Sequence, residues 1–323
     1  MGNVLTERNS TKLHYFQVTS EWEDIIASQL KLQLHSTNSD HRLANDPIAE
    51  RIKETLTTFI PFKVSKQKWN LVFIMYPRLS HRYKWLPVVP IYLDVHKKWK
   101  HKIIRDTRCL PLYFVTSYDL FVDIKETSPD SNCVYFPLSV ADIYYGETRK
   151  EKNIDVVQLG RKNIKLHEFM LEYSKHRSVD YIYLEGKSYK STKGYEVGAL
   201  SSRKEYMDLL SRAKVSLVSS PAVDGEKDFG GYDFITHRFY ESAISDCYMI
   251  GRYTQNKEAE LLKIADVCKL VNDYDEFEAS LDEMLSVSIY DNYSNLRKFV
   301  RENTTKIRAE YMKKIMVSEG FGF

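Results

Sequence analysis

Between residues 154 and 271 short apolar runs alternate with amphipathic helical patterns, and this alternation constrains the fold more than any other feature of the chain. DVVQLG (155–160), YIYLEG (181–186), KVSLVSS (214–220), CYMIG (247–251) and VCKLV (267–271) are rich in β-branched and aromatic residues. Apolar runs of that length read as strands buried on both faces. Helical patterns lie between them at 165–176, at 201–213 with Ser202 as a cap, from His237, and at 256–264. Two more follow near 275–286 and 291–316. Such repetition builds βαβ units and predicts a doubly wound α/β domain.

The first half is less regular. LHYFQV (13–18) reads as a strand, and helical patterns follow around 21–34 and 46–59. LVFIMY (71–76), VVPIYLDV (88–95), PLYFVTS (111–117) and CVYFPLSV (133–140) then read as strands of a second parallel sheet. DIYYGETRKEKN (142–153) is polar and reads as a linker. The division expected is a first domain over 1–145, a second over 154–290, and a helical segment, 291–323, placed to pack back on the first.

Charge is uneven. Residues 1–150 hold 21 Lys and Arg against 16 Asp and Glu, whereas residues 151–323 hold 26 against 28. A basic first half suits an anionic membrane or a phosphorylated acceptor, or is scatter over a large surface. HKKWKHKIIRDTR (96–108) reads either as a solvated helix or as a basic face with Trp99 at a membrane interface. Aromatic and basic residues are too scattered elsewhere to indicate nucleic acid. No run approaches the roughly 18 apolar residues of a membrane span, and no hydrophobic leader opens the chain. The four cysteines match no metal spacing and sit in or beside apolar runs, which predicts buried free thiols in a reducing compartment. The expectation is a cytoplasmic protein, with peripheral contact at the inner face of a membrane.

Of the 12 glycines, only Gly2 falls before residue 146. Loops that cradle phosphates need glycine so that backbone N–H groups can approach the ligand. A nucleotide site therefore belongs to the second half, beyond the carboxyl ends of its strands. Three features fall there. Gly160-Arg161-Lys162 follows a strand directly and is either a phosphate-binding turn or a solvated one. PAVDGEKDFGGYD (221–233), with Asp224 and Gly225, is either a ligand loop or a surface loop. The helix from His237 has Thr236 as a candidate N-cap and free N–H groups beyond it. Phe239 with Ala243, and Tyr240 with Ile244, make its buried stripe, while Arg238 and Glu241 share another face. Seen alone, those two are an exposed ion pair worth a few tenths of a kcal/mol.

HRFYESAISDCYMIG (237–251) resembles a pattern of retaining-type GT-B glycosyltransferases and of the spore-maturation-type group, in which an Arg-Phe-x-Glu helix precedes a small-residue turn and a short strand. The resemblance extends through DVVQLGRKN, KVSLVSSPAVDG and the helix from Asn256, covering about residues 154–285. It implies an α/β, GT-B-like fold: two Rossmann-like domains with parallel sheets flanking a cleft, the donor in the second and the acceptor in the first. Glu241 matches the second carboxylate of the family's E-x7-E pattern, implied to hold the donor ribose. Asp233 stands where the first would contact the sugar, one methylene shorter. Arg161 and Lys162 match the basic turn at the diphosphate, and Arg238 matches the arginine before Phe-x-Glu. Asp246 replaces the glycine usual at the helix end, a position where Asp tolerates a left-handed cap.

The activity implied is transfer of a sugar from a nucleotide-sugar donor to a polysaccharide, lipopolysaccharide or lipid-linked acceptor. A non-catalytic GT-B-like binding or scaffolding subunit is the alternative, and a nucleotide-sugar hydrolase or epimerase a third reading. Cations and a helix N-terminus can stabilise the departing diphosphate, so no metal cofactor is expected. Asp273-Tyr274-Asp275 matches a D-x-D metal motif, but its position between strand and helix reads as an N-cap. On the acceptor side Asp94, closing the strand VVPIYLD, is the candidate base, with His81 and His96 behind it.

Overall fold

A computed structural model describes residues 2–6, 17–36, 47–57, 59–75, 77–145, 150–225, 232–286 and 294–323. The chain forms two compact units. The first comprises residues 1–137, 227–232 and 305–323, and the second residues 138–226 and 233–304.

The first unit is built on a six-stranded, wholly parallel sheet. Its strands are β1 (Gly2–Thr6), β2 (Gln33–Ser36), β3 (Trp69–Ile74), β4 (Val88–Tyr92), β5 (Tyr113–Val115) and β6 (Cys133–Tyr135), in the order β2-β1-β3-β4-β5-β6. Leu71, Ile91 and Phe114 are fully buried, as strands covered on both faces require. The helices are α1 (Gln17–Leu30), α2 (Pro47–Thr57), α3 (Lys100–Thr107) and α4 (Tyr118–Thr127). Trp22, Ile26 and Leu30 of α1 recur every four residues and are buried, with the Trp22 ring 6.1 Å from Phe73 and 6.3 Å from Phe136. Two expectations change here. Of LHYFQV, residues 13–16 lie outside the described residues, and Gln17 and Val18 open α1 instead of continuing a strand. GNVLT, in which no strand is expected, is β1, and Gly2 is needed there because a Cβ would lie 2.3 Å from the Trp69 ring.

The second unit carries the strands β7 (Ile154–Gln158), β8 (Tyr181–Glu185), β9 (Ser188–Ser191), β10 (Glu196–Gly198), β11 (Ala213–Ser219), β12 (Tyr248–Arg252) and β13 (Cys268–Leu270). Their order is β10-β9-β8-β7-β11-β12-β13. The helices are α5 (Ile164–His176), α6 (Arg203–Ser211), α7 (His237–Ile244), α8 (Lys257–Leu261), α9 (Tyr274–Ser286) and α10 (Ser294–Glu302). A last helix, α11 (Thr305–Ser318), belongs to the first unit. Asn163, Ser202 and Asn256 each accept a backbone hydrogen bond as N-caps of α5, α6 and α8. Asp273 likewise accepts from the Glu276 N–H at 2.9 Å at the start of α9, so the D-x-D match is a cap.

Strand β9 runs antiparallel to both of its neighbours, β8 and β10, a departure from an all-parallel sheet. The turn between β8 and β9 places Gly186 at φ 63°, a left-handed conformation that suits glycine in a tight hairpin. The four cysteines are free; Cys133, Cys247 and Cys268 are buried as expected, but Cys109 is exposed, because it lies in the turn after α3 and not in the strand that follows. Among the described residues no helix is long and apolar enough to cross a membrane.

Candidate functional site

In the second unit β7 has β8 on one side and β11 on the other, so the strand order reverses between β7 and β11. Loops leaving the carboxyl ends of strands diverge at such a point and leave a crevice. The two glycine-bearing features expected from the sequence stand there: the Gly160 turn after β7, and the loop after β11. Residues 226–231 of that loop, with Gly230 and Gly231, lie outside the described residues.

Gly160 adopts φ 73°, and its N–H donates to the Tyr189 hydroxyl at 2.9 Å. A Cβ added there would lie 3.0 Å from Nε and 3.1 Å from Nη2 of Arg238. Glycine is thus required twice, by the backbone and by the arginine laid against it. Arg238 projects from the first turn of α7, is half-buried, and among the described residues has no hydrogen bond or ion pair. A guanidinium so held presents its planar fork for two oxygens of an anion. Lys162, two residues past Gly160, sits 5.3 Å from the centroid of the Tyr183 ring and is half-buried. Arg161 between them is also half-buried. Burial, with the Lys162 charge added, pushes the His167 imidazole down to about 4, so it is neutral at pH 7.

The second wall is fixed by Asp224. It takes a left-handed backbone (φ 66°, ψ 20°) and accepts from Arg252 Nε at 2.7 Å and from Asn163 Nδ2 at 2.9 Å. Lys165 adds a contact at 3.3 Å. Burial would raise this carboxyl, but the bonds from Arg252 and Asn163 and the Arg252 charge hold it down to about 2. Asn163 meanwhile caps α5 and accepts from Gln158 through its carbonyl at 3.3 Å. Asp224 therefore ties the loop after β11 to the turn after β7 and to the end of β12. Gly225 closes the short helical turn that carries it.

Thr236 and Glu241 are placed differently from what the sequence suggests. Thr236 occupies the N-cap position of α7 but its hydroxyl does not cap; it donates to the Ser219 carbonyl at 3.4 Å. Glu241 is not the partner of Arg238. It is buried, with Arg203 Nη1 2.6 Å from one carboxylate oxygen and the Tyr206 hydroxyl donating to the other at 2.9 Å. Burial raises this carboxyl, yet the charges of Arg203 and His237 prevail and hold it below its ordinary value. Both oxygens thus face α6, so a ribose clamp of Arg238 and Glu241 is not preformed. Asp233 is buried too, accepting from the Ser220 hydroxyl at 2.7 Å and from the N–H groups of Ala222 and Thr254 at 3.1 and 3.3 Å. Those bonds brace the loops after β11 and β12 and fix the orientation of the Asp233 carboxylate. Asp94 lies just past β4 in the first unit, half-buried and at φ 46°. Asp246 closes α7 at φ 52°, the left-handed conformation expected of it.

Three residues escaped the sequence reading. Tyr189 comes from the unforeseen β9, Arg203 reaches Glu241 from 38 positions away in the chain, and Arg252 ends β12. Only Arg252 left a signal, as a cation directly beyond a strand in a switch-point sheet.

No protein-family model matches the sequence, and no curated protein matches it. Solved structures match its fold. TarM of S. aureus superposes with a TM-score of 0.58 at 11% identity, over 83% of this chain and 58% of that one. The UDP-GlcNAc 2-epimerase of Methanocaldococcus jannaschii, solved with UDP-GlcNAc and UDP, gives 0.51 at 12% identity over 98% and 99%. BGT of phage T4, solved with its UDP-glucose substrate, gives 0.50 at 12% identity over 97% and 96%. The chain has a GT-B fold. It spans well under two thirds of TarM, and 60% of the chain solved in the GtfA/B complex. In this GT-B chain the switch point of the second unit gathers Gly160, Lys162 and Arg238 on one side and Asp224 with Arg252 on the other.

Proposed function

We infer that the chain transfers a sugar from a nucleotide-sugar donor to a glycan or lipid-linked acceptor, such as a growing polysaccharide or lipopolysaccharide. The observation that carries this reading is Arg238, a half-buried guanidinium laid against the left-handed Gly160 turn with no ion pair among the described residues. Two structures of the same fold, the phage BGT and the archaeal epimerase, hold UDP-sugars.

Bond breaking at the anomeric carbon leaves negative charge on the departing diphosphate. Arg238, with Arg161 and Lys162, neutralises that charge without a metal ion. Arg238 extends from the first turn of α7, whose N-terminus adds the favourable end of a helix dipole. Gly160 lets backbone approach the phosphates closely. Glu241 positions α7 through Arg203 and Tyr206 rather than touching the donor. On the acceptor side Asp94 is the candidate base for the attacking hydroxyl.

Titration calorimetry with UDP, GDP and their sugars tests the donor half. Binding by one nucleotide series, weakened by Arg238→Ala and Lys162→Ala, is expected; no binding by any, or binding indifferent to both substitutions, overturns it. A second reading, nucleotide-sugar epimerisation or hydrolysis, is favoured by the near-complete mutual coverage with the epimerase. Turnover of the donor with no acceptor present would select it. A non-catalytic subunit would bind donor and turn over nothing.

A further inference from the structure

The most exposed large apolar side chains of the first unit lie along α2 and in the segments that follow it. Ile52, Leu56 and Phe59 follow the i, i+4, i+7 spacing down the outer side of α2 and into the turn after it, and they are 55%, 73% and 77% exposed. Trp85 is 67% exposed, and Val64 and Leu86 are exposed beside it. The segments are held together: Lys63 pairs with Pro87 as an isolated bridge, and Arg108 donates to the Phe59 carbonyl at 3.1 Å. Contiguous aromatic and aliphatic exposure of this kind marks a surface that meets another phase or partner.

Its charge selects the occupant. Residues 47–109 contain 14 Lys and Arg against 4 Asp and Glu, a balance of +10 in a chain whose net charge is +3. Of the four acids, Asp106 is buried among Lys84, Lys102 and Arg105, and Glu54 pairs with Lys102. Lys53, Lys63 and Arg108 are exposed next to Leu56, Val64 and Phe59. An aliphatic and aromatic stripe rimmed by cations is the pattern of an element lying in the headgroup region of an anionic bilayer. Nucleic acid would favour stacking platforms and polar contacts over exposed Ile and Leu.

We propose that this face, Ile52, Leu56, Phe59 and Trp85 with Lys53, Lys63 and Arg108 around them, docks the chain peripherally on an anionic lipid bilayer. It lies beside the basic run over 96–108 that the sequence suggests and shares only Arg108 with it. The inference does not depend on the donor chemistry of the second unit. Trp85 supplies its own reporter, since Trp22 and Trp69 are buried and Trp99 is half-buried.

The test uses the full chain with vesicles of phosphatidylcholine alone or mixed with phosphatidylglycerol. Expected are co-sedimentation with the mixed vesicles only, loss of it at high salt, and a blue shift of fluorescence that disappears in Trp85→Phe. Leu56→Ser with Phe59→Ser, and separately Lys53→Glu with Lys63→Glu, should each weaken partitioning by about tenfold or more. Both double variants should keep the circular dichroism and nucleotide binding of the wild type. No partitioning to mixed vesicles, or partitioning unchanged in both double variants, overturns the proposal. So does a wild-type dimer that Leu56→Ser with Phe59→Ser dissolves, because the face would then belong to a second copy.

Discussion

Arg203 Nη1 and Glu241 Oε1 lie 2.6 Å apart, with both side chains almost fully enclosed between α6 and α7. A buried pair of this kind adds little over an apolar pair, but removing one partner strands the other. Glu241→Gln should therefore destabilise the chain by about 3 kcal/mol, and Arg203→Met added to it should recover much of that loss. Urea denaturation of the single and double variants checks this. Donor affinity should fall with the single substitution because α7 carries Arg238 at its start; an unchanged affinity would separate the pair from the site.

Gly160→Ala tests the contact between the turn and the guanidinium. Left-handed backbone costs an L-residue roughly 1–2 kcal/mol, and the new methyl would press on Nε of Arg238 at 3.0 Å. The arginine can swing away, so the loss should appear in nucleotide affinity more than in stability. Calorimetry and denaturation on one preparation decide between the two. An affinity equal to wild type would place the phosphate elsewhere.

Much of the second unit is legible in the sequence because its strands are buried on both faces and its helices open on Asn163, Ser202 and Asn256, residues that declare a start. The Gly160 turn and Arg238 were also visible, each as a residue type suited to phosphate. What could not be read is partnership. Arg238 and Glu241 are three apart on a helix, a spacing that invites pairing, yet Glu241 turns to Arg203 on a helix that approaches only in the fold. Asp233 matches a sugar-contacting carboxylate by position, but its bonds to Ser220, Ala222 and Thr254 join segments whose proximity no spacing in the sequence reveals. β1 was hidden for another reason: five residues containing Gly and Asn carry no strand signal until Trp69 packs over them.

Asp224 should give the site a distinct acid limb. Its folded carboxyl is held at about 2, below the ordinary 3.8, so the folded state binds its proton less readily than the unfolded one. Its contribution is complete above about pH 4 and is lost as pH falls towards 2. Asp224→Asn isolates the charge, since Asn also tolerates left-handed backbone. That variant should lose roughly 2–3 kcal/mol at pH 7, because the enclosed Arg252 keeps only carbonyl partners. The gap from wild type should narrow as pH drops through this window. Stability measured at pH 7 and pH 3 shows whether it does.

The buried cation of the first unit predicts an asymmetry. Lys84 is fully enclosed with its ammonium 2.7 Å from Asp106 and 4.6 Å from the Phe62 ring centroid, while Asp106 also accepts from Ser80 at 2.7 Å and lies near Lys102 and Arg105. Asp106→Asn would leave three cations around a neutral amide and should cost about 3–5 kcal/mol. Lys84→Met leaves Asp106 its other cations and should cost far less. Burial, outweighing the Asp106 contact, holds the Lys84 ammonium below its ordinary 10.5, so the unfolded chain binds that proton more tightly than the folded one. Stability of the wild type relative to Lys84→Met should therefore rise as pH is raised towards 10.5, whatever the tyrosines contribute, because both proteins share them. Parallel denaturation at pH 7 and pH 9.5 reads this difference directly, and a difference that shrinks with pH would mean that Asp106 dominates the ammonium after all.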